Sequence, residues 1–182
     1  MLNLQGIDRN SVNVVATRQL KQQPADLQRD VYDSHRHRVF ALAFYMTGNE
    51  IEAETILTST FVAAFRETEV PQADHVDSAL VAELRRRFPL SESEPTANLN
   101  GAVGPHLAER NVRRTDLEEA IQTLPATERL LFLLRDVEGY SPSVISRLLQ
   151  MPEAKVQRGL FSARIRLRQA LASSAAEERE AA

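Results

Sequence analysis

Lys155, Gln157 and Arg158 lie close together near the C-terminal end of the chain, with Ser162, Arg164, Arg166 and Arg168 following over the next turns. These side chains suit hydrogen bonding to nucleic acid. Arginine pairs bidentately with guanine and glutamine with adenine, each pair discriminating against the wrong base by about 1–3 kcal/mol. Arginines further along suit phosphates, which fix position without reading sequence. Other chemistry finds little to work with. His35 and His37 are two residues apart, which on a helix turns them about 200° from each other, so they cannot share one ion. Glu118-Glu119 and Glu177-Glu178 are adjacent acids near helix ends rather than a catalytic pair facing a cleft. The chain has 0 cysteines and contains no GxSxG, HExxH or Gly-rich phosphate loop. The expectation is therefore no enzyme, no metal site, no cofactor and no small-molecule substrate.

The elements that must hold these side chains are legible in EGYSPSVISRLLQMPEAKVQRGLFSAR, residues 138–164. Ser141-Pro142 opens a helix with an oxygen cap and a proline at the first helical position. Val144, Ile145, Leu148 and Leu149 give that helix its packed face, and Gln150-Met151-Pro152 makes a turn. The last helix is expected to run to about Ala172. At 100° per residue, Val156, Leu160, Ala163, Leu167, Ala170 and Leu171 fall within roughly 60° of one direction and form a buried stripe. Gln157 lies roughly 100° from Val156, Arg158 roughly 200° and Lys155 roughly 260°, all away from that stripe. Phe161 and Ile165 also face outward. A helix, a short turn and a second helix with polar side chains at its start is the geometry that docks in a major groove. From Ser141 to Leu171, six basic residues stand against Glu153 alone, in a chain whose net charge is −3. A basic block within an acidic protein is an electrostatic footprint for nucleic acid.

The 182 residues, 43% hydrophobic and 26% charged, have the balance of a soluble globular protein. No apolar run reaches the roughly 18 residues of a membrane span, and the start lacks the pattern of a secretion signal, so no membrane insertion and a cytoplasmic location are expected. Residues 1–24 form an extension left unassigned. A helix is expected from Ala25 to Thr47, with Leu27, Val31, Val39, Leu42 and Met46 near one face and Gly48 as its stop. Asn49 and Glu52 read as a capping box for a second helix that turns Ile56, Phe61, Val62 and Phe65 inward. A third spans roughly Val76 to Phe88. Pro89, Pro95, Pro105, Gly101 and Gly104 mark residues 89–114 as a flexible linker. Thr115 and Glu118 read as another capping box, Leu124-Pro125 as a break, and Ala126 to Val137 as a helix stopped at Gly139. The fold class is all-α: two small helical domains, residues 25–88 and 115–172, the latter a helix-turn-helix, with 173–182 a frayed tail.

From Ala120 to Leu171, AIQTLPATERLLFLLRDVEGYSPSVISRLLQMPEAKVQRGLFSARIRLRQAL resembles the promoter-binding domain of sigma-70 family factors in the extracytoplasmic-function (ECF) group. The LP break, the ER, the apolar helix into RDVEGYS and the MP turn carry the likeness. Upstream, VYDSHRHRVFALAFYMTGNEIEAETILTSTFVAAFRE resembles the same family's polymerase-binding domain. The resemblance implies an alternative sigma factor whose partners are core RNA polymerase, promoter DNA and, as a further candidate, an anti-sigma factor. It implies that Lys155, Gln157 and Arg158 face the −35 element, with Ser162, Arg164 and Arg168 also near DNA. Arg85, Arg86 and Arg87 become candidates for DNA backbone contact. Glu52, Glu54, Thr55, Thr58 and Ser59 would face the polymerase. Thr55, Thr58 and Ser59 stand where the family usually has an acid and a Gln-Glu pair. The segment PQADHVDSALVAELRRRF is short and has no Trp, where the family carries aromatics for promoter melting. A sigma-like regulator or decoy that has lost initiation is the alternative reading.

Overall fold

The computed structural model describes residues 24–68, 71–90 and 113–180. The extension before Pro24 and most of the linker expected at 89–114 lie outside the described residues. Within them the chain is helical throughout: α1 (Pro24–Thr47), α2 (Glu50–Glu67), α3 (Ala73–Arg87), α4 (Arg114–Thr123), α5 (Ala126–Phe132), α6 (Pro142–Leu149) and α7 (Glu153–Glu180). No helix among the described residues is long and apolar enough to cross a membrane.

α1, α2 and α3 pack as one bundle. Gly48, at φ +69°, gives α1 the left-handed stop expected of it. Asn49 then caps α2 by accepting a hydrogen bond from the Glu52 amide at 3.1 Å. The buried face of α1 is Val39, Leu42, Ala43 and Met46, while Leu27 and Val31 are only half-buried. α2 buries Ala53, Ile56, Thr60, Phe61 and Ala64. Val62 does not join them, contrary to the expectation from sequence. It lies roughly 180° from the middle of that stripe and is 52% exposed. Tyr32 meets the Phe61 ring edge-on at 4.8 Å, tying α1 to α2. α3 begins at Ala73, earlier than expected, because Gln72 and His75 form a reciprocal capping box there.

α7 is the axis of the second bundle, with α4, α5 and α6 packed against it. Thr115 does not cap α4. The helix starts a residue before it, and Arg113 pairs with Asp116 at 3.2 Å instead. α5 ends in a π-helical turn, Leu133–Val137, in which the Glu138 amide bonds back to the Leu133 carbonyl at 3.0 Å. Gly139, at φ +79°, then turns the chain toward α6. α7 continues to Glu180, so the tail from residue 173 is helical for most of its length.

Two polar junctions join the bundles. At one, the last carbonyls of α1, which have no partner within the helix, receive side chains from α4 and α5. Gln122 donates to the Tyr45 carbonyl and Arg129 to the Met46 carbonyl, both at 2.8 Å. Arg129 also bonds the Gln122 side chain and backbone and the Leu124 carbonyl; burial lowers its pKa. At the other junction Arg38 of α1 pairs with Asp77 of α3 and reaches Glu138 at 3.2 Å and the Tyr140 hydroxyl at 2.9 Å. The Tyr140 hydroxyl donates to Asp77. Burial works against the Arg38 charge, but hydrogen bonding and charge from Asp77 outweigh it and raise its pKa.

Candidate nucleic-acid interface

The interface is built from α6, its turn and the first half of α7. Ser141 caps α6 through its hydroxyl, which accepts from the Val144 amide at 3.3 Å, and Pro142 occupies the first turn. At the other end Gln150 adopts a left-handed conformation, φ 50° and ψ 46°. The Met151 amide bonds back to the Ser146 carbonyl at 3.0 Å, and the Ser146 hydroxyl donates to the Met151 carbonyl at 2.6 Å. The Pro152 carbonyl accepts from the amides of Lys155 and Val156, which starts α7 directly after the turn. These bonds hold the turn between the two helices.

Val156, Leu160, Ala163, Leu167 and Leu171 of the expected stripe are buried, whereas Ala170 is half-buried. Gly159 belongs to that buried face. A Cβ there would stand 2.4 Å from Leu131 Cδ1, so the glycine lets α5 approach α7 closely. Off this stripe, Gln157 and Arg158 are exposed and Lys155 is half-buried. Gln157 donates to Glu153 at 3.3 Å, and Arg158 bends back onto the Ala154 carbonyl at 3.3 Å. Both bonds lie at the outer limit of hydrogen-bond length and are readily exchanged for a base or a phosphate. Phe161 is 59% exposed, in line with its expected outward position, whereas Ile165 is half-buried.

Ser162 departs from its expected place. It is buried and donates to Glu128 Oε1 at 2.9 Å, so it points into the bundle rather than toward a ligand. The reason lies on another helix: Glu128, fully buried on α5, needs a donor and finds it in Ser162. Arg166 supplies the countercharge to Glu128 at 3.0 Å. Arg164 is engaged as well. Its Nε and Nη2 meet Asp136 Oδ2 and Oδ1 at 3.1 and 2.6 Å, and this hydrogen bonding raises the arginine's pKa. Arg168 is exposed.

The basic end of α3 is not a free cationic patch. Arg86 bonds Glu83 at 3.1 and 2.7 Å and Arg87 bonds it at 2.8 Å, and this pairing, with Arg86 first, holds the Glu83 carboxyl below its usual range. Arg85 instead lines a cleft of about 440 Å³ between α3 and α6, shared with Asp74, Asp77, Tyr140, Val144 and Arg147. On α2, Glu52, Glu54, Thr55 and Thr58 are exposed and Ser59 is half-buried. Ile51, 77% exposed, and Val62 extend that outer face at both ends.

Sequence reasoning missed Glu128 and Asp136, the two acids that hold Arg166 and Arg164, and the Arg38 junction. An acid at the start of a short helix carries no local mark of being buried. Arg38 and Tyr140 are 102 residues apart, beyond any periodic pattern.

Residues 114–167 match the family model for sigma-70, region 4. An alignment of 161 residues, 81% of this chain, is 26% identical to the ECF RNA polymerase sigma factor SigE of Mycolicibacterium smegmatis. The chain spans 63% of that relative's length.

Proposed function

We propose that this chain, which belongs to the ECF group of the sigma-70 family, is an alternative sigma factor that binds core RNA polymerase and directs it to promoters. The −35 element would be read by the start of α7. The observation that carries this reading is the outward set of Lys155, Gln157 and Arg158 at the head of α7, within a segment matched to region 4. Lys155 and Arg158 would approach guanine or phosphate, and Gln157 adenine. Arg164 and Arg168, further along, would meet the DNA backbone, with Arg85 to Arg87 as backbone contacts nearer the melted region. Residues 25–88 would serve as the region 2-like domain and residues 115–172 as the region 4-like domain. Glu52, Glu54, Thr55, Thr58 and Ser59 would face the polymerase. The catalytic chemistry would stay with the polymerase, and the sigma chain would contribute position and sequence preference.

A second reading, a sigma-like regulator or decoy without initiation, is favoured by one feature. Thr55, Thr58 and Ser59 offer hydroxyls rather than carboxylates on the face that would grip the polymerase. Two measurements on the full chain separate the readings: co-elution with core polymerase, and enrichment of duplexes from a randomised library. Stable co-elution with enrichment of a defined sequence supports the sigma factor. Enrichment without co-elution supports the regulator, and co-elution without enrichment the decoy.

A further inference from the structure

We infer that Asp136 is a positioning residue for DNA recognition: by gripping Arg164 it ties that arginine's phosphate contact to one register and so sharpens discrimination between sequences. This rests on the reading of α7 as the DNA-facing helix. Gln157, Phe161, Arg164 and Arg168 follow one another at spacings of four, three and four, which places them in one row along α7, and all four are exposed. Arg164 differs from its neighbours in that row because its Nε and Nη2 are both taken by one carboxylate. The side-on fork fixes the plane of the guanidinium and leaves Nη1 as its outer edge. Asp136 is itself held, since it lies in the π-helical turn between α5 and α6, an irregularity that often accompanies a functional site. The arginine is therefore neither buried structural ballast nor a freely swinging charge. Its side chain is 47% exposed and that of Asp136 27%.

Two consequences follow from the charges. A guanidinium already paired with a carboxylate gains less from a phosphate than a bare one, so sequence-independent attraction is reduced. A guanidinium held in one plane reaches a phosphate only when the helix sits in a particular register, which is the register that base contacts select. Discrimination thus improves because non-specific binding loses more than specific binding does.

The test uses the full chain, with the duplex most enriched by the wild type from a randomised library and a scrambled duplex of the same composition. Asp136→Asn keeps the size of the side chain and removes its charge. It is expected to tighten binding to the scrambled duplex several-fold and to steepen its log affinity against log salt by up to about 0.9, the value of one added phosphate contact. Affinity for the enriched duplex should rise less, so the ratio falls. Arg164→Lys keeps the charge but loses the fork, and should lower the ratio in the same way. In an Arg164→Ala background, Asp136→Asn should change little, which separates this role from the general loss of one negative charge. Unchanged ratio and slope in both single variants, or the same effect of Asp136→Asn with and without Arg164, would overturn the inference. Failure of the wild type to enrich any duplex would instead overturn the reading of α7.

Discussion

Removing the Glu128 side chain should strongly destabilise the second bundle. Glu128 is 0% exposed and lies against Arg166 at 3.0 Å, and it accepts the Ser162 hydroxyl at 2.9 Å. Glu128→Ala would take one acceptor from a buried hydroxyl and one countercharge from an arginine, and would leave a void in a close-packed core. Breaking a buried ion pair by deleting one partner costs about 3–5 kcal/mol. The Arg166 side chain is 34% exposed and can turn partly to water, which puts the expected loss near the low end, about 3 kcal/mol. Against a total stability of about 5–15 kcal/mol, that is a large fraction. Glu128→Gln keeps the volume and an acceptor for Ser162 but loses the charge, and should cost about 1.5–2 kcal/mol. Urea unfolding followed by circular dichroism reads both. With an m-value of about 2 kcal/mol/M, the alanine variant should shift the midpoint by about 1.5 M. A loss below about 1 kcal/mol for alanine, or equal losses for alanine and glutamine, would refute the claim that this carboxylate ties α5 to α7 through its charge.

Gly159→Ala should gain up to about 1 kcal/mol in helix propensity, but overpacking against buried Leu131 costs about 1–3 kcal/mol. The net expectation is a loss of about 1 kcal/mol, relieved in a Leu131→Ala background, as a double-mutant unfolding cycle would show. Tyr140 has its pKa pushed up to about 12 by burial first and then by Asp77. In the unfolded chain the hydroxyl ionises near pH 10, so between about pH 10 and 12 the native state holds the extra proton. The stability this hydroxyl contributes is complete below pH 10 and lost as pH climbs through that window, and Tyr140→Phe should remove this part of the alkaline loss in urea titrations. Arg158→Ala should relax sequence preference at one position of the enriched duplex, whereas Arg168→Ala should weaken all duplexes alike and flatten the salt dependence by about 0.9. Equal effects of the two on sequence preference, measured by competition binding, would remove the distinction between base reading and backbone contact.

The helix-turn-helix was legible because its signals are local. Ser141-Pro142, Gly139, the Met151-Pro152 turn and the apolar stripe of α7 each act within a few residues, and each appears where the pattern put it. Thr115 and Val62 were misjudged for physical reasons also found nearby. Arg113 and Asp116 offered α4 an ion-paired start that competes with a threonine cap, and the small residues Ala53 and Ala64 moved the buried stripe of α2 away from Val62. By helix propensity alone Gly159 is a weak point in α7. Its cause lies on another helix, in Leu131. The same holds for Ser162, whose direction is set by Glu128, and for Arg164, whose partner Asp136 is 28 residues away. Sequence periodicity shows which side of a helix faces a core, but not which polar group waits there.

Run-off transcription with purified core polymerase, on templates carrying the duplex that the full chain enriches, tests the central claim most directly. A defined start site downstream of that duplex is expected, dependent on the added chain and lost when the duplex is scrambled. A chain that binds the duplex and yields no such start site would contradict that claim.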